Sequence, residues 1–192
     1  MGVRAAGVLR LGGRRFEPWE LLVMAVAFGL GGVHAAVAEG ADIVELPAPL
    51  VGPVRDAYPE LIIGVRTGSG EVAREACAAG ADLLAGPWAE VAAELGVGVV
   101  GSLGSLGSLA EAARAERAVV EDSRPVAELV ASGWPVLVSD PDLARVAVFA
   151  WQGARVFRVF PVERVRETRR ALRMVSAIRG DIPPAYAVRG LA

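Results

Sequence analysis

The 192-residue chain contains no lysine and no asparagine, one histidine (His34), one glutamine (Gln152), one cysteine (Cys77) and two threonines (Thr67 and Thr168). Each scarcity excludes something. A single cysteine rules out an internal disulfide and any cysteine-based metal cluster. Lysine, histidine and asparagine carry most Schiff-base, general acid–base and oxyanion chemistry, and this chain has almost none of them. A metal would need carboxylates alone, and no pair of them has a ligand-like spacing, so neither metal nor cofactor is expected. The net charge of −2 offers no polycationic footprint for nucleic acid. The longest apolar run, 21–30 (LLVMAVAFGL), is too short to span a bilayer and ends in glycines. It also lacks the position and cleavage pattern of a signal peptide, so a cytoplasmic protein is expected.

What is present is apolar and arginine-rich. Hydrophobic residues make up 54% of the chain and its mean hydropathy is +0.45, which suits one well-buried domain over 1–192. From residue 21 onward, short apolar runs alternate with amphipathic stretches. Strands are predicted at 22–27, 42–46, 61–66, 81–85, 97–101, 117–121, 135–139 and 155–160. Helices are predicted at 31–39, 70–79, 88–95, 108–116, 124–132, 141–152 and 163–179. Segment 47–59 is read as an irregular connection, because Pro47, Pro49 and Pro53 interrupt it. The strands are continuous Val/Ile/Leu runs, as in parallel sheets covered on both faces. Three junctions repeat one phrase: AEGADIVEL (38–46), AAGADLLAG (78–86) and WQGARVFRV (151–159). In each, a glycine ends a helix and the chain drops into a strand.

Eight strands at about 20-residue spacing fit a (β/α)8 TIM barrel with shortened loops. The segment 7–18 (GVLRLGGRRFEP) reads as a small N-terminal hairpin that plugs the barrel's bottom. An open doubly wound sheet is the alternative architecture, as is a barrel lacking strand 117–121. The strand ends that would form a barrel's functional rim carry Glu45, Arg66 and Thr67, Ala85 and Gly86, Gly101 and Ser102, Glu121 and Asp122, Ser139 and Asp140, and Arg158 and Phe160. This rim is sparse, and none of its groups titrates near neutral pH unless perturbed.

Several segments in order resemble the dihydropteroate synthase family, the pterin-binding TIM barrel of folate synthesis, and most closely its second, actinobacterial-type paralogue. They are 7–26, 36–45, 72–84, 128–138 and 150–192. The family's functional residues are missing from this pattern. The Asn-x-Thr-x-Asp-Ser-Phe loop after the first strand is absent, since Ala27 runs straight into FGLGG. Glu45 stands at the acidic position after the second strand, but LPAP replaces the substrate loop. The third strand of the family ends Ser-x-Asp-Thr; here it ends GVRT, with Arg66 for the aspartate and Thr67 kept. An arginine only donates hydrogen bonds, so it cannot take the aspartate's accepting role toward a pterin. Ala85 and Gly86 replace Asn-Asp. The Asp-Pro-Gly stretch shrinks to VVEDSRP, with Asp122 as a relic of its acid, and the lysine loop becomes SDPDLA. Of the final Arg-x-His, Arg158 is kept and Phe160 replaces the histidine.

The resemblance therefore implies a pseudoenzyme with no catalytic residue. The best-preserved part is the C-terminal half, which in the family forms the dimer interface. That implies a subunit pairing with a full-length synthase-like paralogue, or with itself, through 124–132, 141–152 and 163–179. Arg66, Thr67 and Arg158 remain as candidates for binding a small anion. The competing and favoured reading has the two arginines paired with Glu45, Glu121 or Asp122 in a closed rim. An active synthase is the third reading. GSLGSLGSLAE (101–111) lacks the phosphate-loop and dinucleotide spacings and reads as a linker with Ser108 as an N-cap. His34, Cys77, Trp88, Trp134 and Trp151 are read as packing residues.

Overall fold

The structure is a computed structural model that describes residues 7–107, 116–139 and 141–182. It opens with the antiparallel hairpin β1 (Leu9–Leu11) and β2 (Arg14–Phe16). Eight parallel strands follow: β3 (Leu22–Val26), β4 (Ile43–Glu45), β5 (Ile62–Arg66), β6 (Leu83–Ala85), β7 (Gly98–Gly101), β8 (Ala118–Val120), β9 (Leu137–Ser139) and β10 (Val156–Val159). Their order is β8-β7-β6-β5-β4-β3-β10-β9. Between β8 and β9 a single parallel bridge, Val120 to Val136, closes the circle. The seam is narrow because Pro135 has no N–H to add to the ladder; its carbonyl accepts from Val120 N at 2.8 Å. The fold is a nearly closed (β/α)8 barrel, and strand 117–121 is part of it.

The helices lie between the strands: α1 (Leu30–Ala38), α2 (Val51–Ala57), α3 (Gly70–Ala78), α4 (Ala89–Leu95), α5 (Leu103–Leu106), α6 (Val126–Ala131), α7 (Leu143–Gln152) and α8 (Arg164–Arg179). The predicted helix 108–116 and the tail 183–192 fall almost wholly or wholly outside the described residues. One expectation is corrected. Segment 47–59 is not irregular: it forms a 3-10 turn (Ala48–Leu50) that runs into α2. The prolines do not break it because Pro47 and Pro49 sit at the start of the turn and Pro53 is the third residue of α2. The first N–H groups of a helix have no intrahelical partner to lose.

Continuous apolar strands resolve into two faces because successive side chains alternate. Val23, Val44, Ile63, Leu84 and Phe157 pack outward against the helices. Leu22, Met24, Ile43, Ile62, Leu83, Val100, Val119 and Val156 fill the barrel with Leu9, Leu11 and Phe16 of the hairpin. The hairpin is thus the bottom plug. Gly98 makes room for it, since a Cβ there would lie 2.5 Å from Leu11 Cδ2.

The repeated junction phrase has one geometry. Gly40, Gly80 and Gly153 all take positive φ (89°, 107° and 103°), as the helix-ending role requires. The acid two residues later ties the new strand to its predecessor. Asp42 accepts from Val23 N at 2.8 Å and from Arg169. Asp82 accepts from Ile63 N at 2.9 Å and from Arg55 at 2.5 Å. In the third copy Arg155 stands in the acid's place. Its buried guanidinium donates to Gly7 O (2.7 Å), Glu17 O (2.6 Å) and Phe16 O (3.4 Å), clamping the hairpin to the barrel. Burial lowers the pKa of Arg155 to about 10, against the attraction of Glu20 and Glu17. No helix among the described residues is long and apolar enough to cross a membrane.

Candidate functional site at the barrel mouth

The inward-facing rows of the strands continue upward into charge. Two residues beyond Ile43 is Glu45; two beyond Gly64 is Arg66; two beyond Val119 is Glu121; two beyond Leu137 is Ser139; two beyond Val156 is Arg158. The period of a strand therefore turns five polar side chains toward one axis at the C-terminal mouth.

They close a ring. Arg66 Nε lies 3.3 Å from Glu45 Oε1 and Arg66 Nη2 lies 2.8 Å from Glu121 Oε2. Arg158 Nη2 lies 3.1 Å from the same Glu45 Oε1, and Arg158 Nη1 lies 3.4 Å from Glu121 Oε1. Ser139 Oγ donates to Glu121 Oε1. Signs alternate around the four members, so the charges cancel within the ring. The Glu45 side chain is only 7% exposed, while Arg66 keeps 40%. For Arg66, burial works against the charge, yet the hydrogen bond to Glu121 and the charges of Glu45 and Glu121 outweigh it and hold the guanidinium more firmly protonated than usual. Glu121 shows the converse. Burial opposes its ionisation, but Ser139, Arg66 and Arg158 hold the carboxyl below its ordinary value.

The structure thus brings Arg66 and Arg158 together, through shared carboxylates. Thr67 stands apart from the ring: its hydroxyl accepts from Ser69 N at 3.1 Å, and its carbonyl accepts from Trp88 Nε1 at 2.8 Å. Trp88 lies against Gly86, where a Cβ would come within 2.9 Å of the indole nitrogen. The indole thus packs on the strand end where the family pattern would place an asparagine and an aspartate. Asp122 serves the next turn, accepting from Leu103 N (3.3 Å) and from Arg124, whose hydrogen bonds hold its pKa down. Ser69 N-caps α3, accepting from Val72 N at 3.4 Å, so GVRTGSG (64–70) is a strand end, a side-chain-braced turn and a helix start.

Two cavities flank Arg66. One, of about 320 Å³, is lined by Val26, Ala27, Phe28, Leu46 and Pro47 above Glu45, Arg66 and Arg158. The other, of about 340 Å³, lies toward Gly86, Ser102 and Glu121. Phe28 and Phe160 meet edge to face at 5.7 Å beside the first. Among the described residues no group of three or more His, Cys, Asp or Glu could hold a metal ion. His34, on α1, contacts Tyr58 rather than the mouth. Cys77, half-buried on α3, has its thiol pKa pushed up by burial and by the charge of Asp82.

The residue missed from sequence was Arg155. The signal was there, since the third junction phrase has an arginine where the other two have aspartate.

No family model matches the chain. It is 34% identical to the inactive dihydropteroate synthase 2 of Mycobacterium leprae, over 83% of this chain and 85% of that protein. It is 33% identical to the Mycobacterium tuberculosis protein of the same name, over 83% and 78% of the two chains. The first alignment runs over 250 positions, more than the 192 residues of this chain, so the relative carries internal segments absent here. Among solved structures, that of Mycobacterium tuberculosis Rv1207 superposes with a TM-score of 0.77 at 33% identity, covering 94% of this chain and 100% of the other. The dihydropteroate synthase of Yersinia pestis shares the fold, with a TM-score of 0.76 at 18% identity over 91% and 99% of the chains. With relatives this similar over most of its length, and with their barrel, the chain belongs to the dihydropteroate synthase family.

Proposed function

We propose that this chain is a catalytically inactive dihydropteroate synthase-like protein that serves as a structural or regulatory subunit. The observation that carries the inactive part is the ring. Transfer of a pterin from its diphosphate needs acceptors for the pterin's N–H groups and unmatched positive charge for the departing diphosphate. At this mouth the acceptors, Glu45 and Glu121, are bound to arginines, and the arginines are bound to them. Neither function is left over. The printed names of the Mycobacterium relatives, inactive dihydropteroate synthase 2, point the same way.

The subunit part rests on the outer surface. α7 and α8 pack side by side, and Arg179 Nη1 donates to Ala150 O at 3.2 Å, which brings their C-terminal ends together. Next to that contact Trp151 is 60% exposed and Ile178 67%, with Val148 and Met174 a turn earlier. Large apolar side chains at that exposure on two adjacent helices make a face that suits a partner. The partner fitting this reading is a full-length synthase-like paralogue, or else a second copy.

Co-expression with such a paralogue, followed by size-exclusion chromatography, tests the pairing. Co-elution, or a dimer of the chain alone, supports it; independent monomers of both at micromolar concentration would sink it.

A further inference from the structure

The mouth cavity of about 320 Å³ remains open after the ring has formed, and its chemistry differs from what two rim arginines suggest. Its floor holds Glu45, Arg66 and Arg158, and each charge there has an opposite charge within 3.3 Å. An entering anion would meet Arg66 and Arg158 only alongside Glu45 and Glu121, carboxylates fixed in the same ring. It would shed its water without gaining net charge attraction, and desolvating an ion without a matching charge is unfavourable. The walls are apolar: Val26, Ala27, Phe28, Leu46 and Pro47. Phe28 is 71% exposed and is held from one side by the edge of Phe160, itself half exposed. A large aromatic ring kept at the lip of a cavity, braced by a second ring, offers contact area that water covers poorly. Guanidiniums whose N–H groups face carboxylates still present flat faces suited to π-systems.

From these features we infer that the mouth cavity is a binding site for an uncharged, flat aromatic compound, and that its ring of matched charges selects against anions. The volume lies in the range of small-molecule sites. Phe28 supplies the apolar contact, and Glu45 sets the charge preference by neutralising Arg66 and Arg158. The inference rests on the reading of the ring as self-neutralised. It separates from the inactive-subunit proposal because binding, not turnover, is measured.

Saturation-transfer NMR and calorimetric titration with indole, benzoate and inorganic phosphate on the whole chain provide the test. Indole should bind saturably, and benzoate and phosphate at least about tenfold more weakly, a tenfold step being about 1.4 kcal/mol. Phe28→Ala, at an exposed position that leaves the core intact, should weaken indole about tenfold. Glu45→Gln leaves two guanidiniums against one carboxylate, and benzoate binding should then appear. Benzoate binding to the native chain as tightly as indole would overturn the inference, as would indole binding that Phe28→Ala leaves unchanged, or no saturable indole binding at all. If Glu45→Gln does not fold, the native chain and Phe28→Ala still decide. Pterin turnover by the native chain would break the inactive-subunit proposal, whereas failure of indole alone would break only this inference.

Discussion

Arg158 Nη2 lies 3.1 Å from Glu45 Oε1, and Glu45 is almost wholly buried, so the carboxylate depends on its two arginines for charge compensation. Removing one partner of such a pair leaves the other uncompensated in a low-dielectric site, which costs more than the pair itself contributes. Arg158→Met should therefore destabilise the chain by about 3 kcal/mol in urea unfolding. In a double-mutant cycle with Glu45→Gln, the second change should cost about 1–2 kcal/mol less than it does alone, since the two share one contact. Fully additive losses would mean the ring is only a geometric coincidence.

Acid should open the ring. The folded-state pKa of Glu121 lies below the ordinary value of 4.5, so its ionised form favours the native state. That contribution is complete above the ordinary glutamate range and is lost as pH falls through the depressed folded value. Stability measured by urea titration from pH 6 down to pH 3 should fall, and Glu121→Gln should flatten the fall. An unchanged acid limb in the variant would remove Glu121 from the account.

At the other end of the barrel, Arg155→Met should loosen the plug. Three hairpin carbonyls lose their donor, and about 1–3 kcal/mol attaches to each buried acceptor left unsatisfied, less where water can enter. Amide hydrogen exchange at Leu9, Leu11 and Phe16 should quicken well before that of the central strands. Equal protection of the hairpin in variant and native protein would show that apolar insertion alone holds it.

Much of this architecture was legible because its signals are local. Val/Ile/Leu runs mark strands buried on both faces, and Gly40, Gly80 and Gly153 mark the helix ends. α2 was hidden because prolines count against a helix unless their place in its first turn is known, and Pro53 occupies that place. At the mouth, strand period alone turns Glu45, Arg66 and Arg158 inward, and their pairing was foreseeable from charge. That Arg66 and Arg158 share both Glu45 and Glu121 depends on how residues from four different strands meet across the axis. No sequence spacing encodes that. Thr67 looked like a partner of Arg66 because it follows it, yet successive strand residues face opposite ways.

The outer face makes a separate demand. Trp151→Glu places a charge in the middle of the exposed α7/α8 surface without touching the core. It should abolish co-elution with a synthase-like paralogue, or dissociate a dimer of the chain, while far-ultraviolet circular dichroism and thermal midpoint stay close to native. Undiminished pairing would move the interface elsewhere.

The central claim is that the ring of Glu45, Arg66, Glu121 and Arg158 occupies the mouth so that no synthase chemistry remains. Its most direct test is a turnover assay of the purified chain with the pterin diphosphate and 4-aminobenzoate, with calorimetric titration of each compound alongside. The account predicts no dihydropteroate above background and no saturable heat from the diphosphate. Saturable binding of the diphosphate followed by product formation would contradict it.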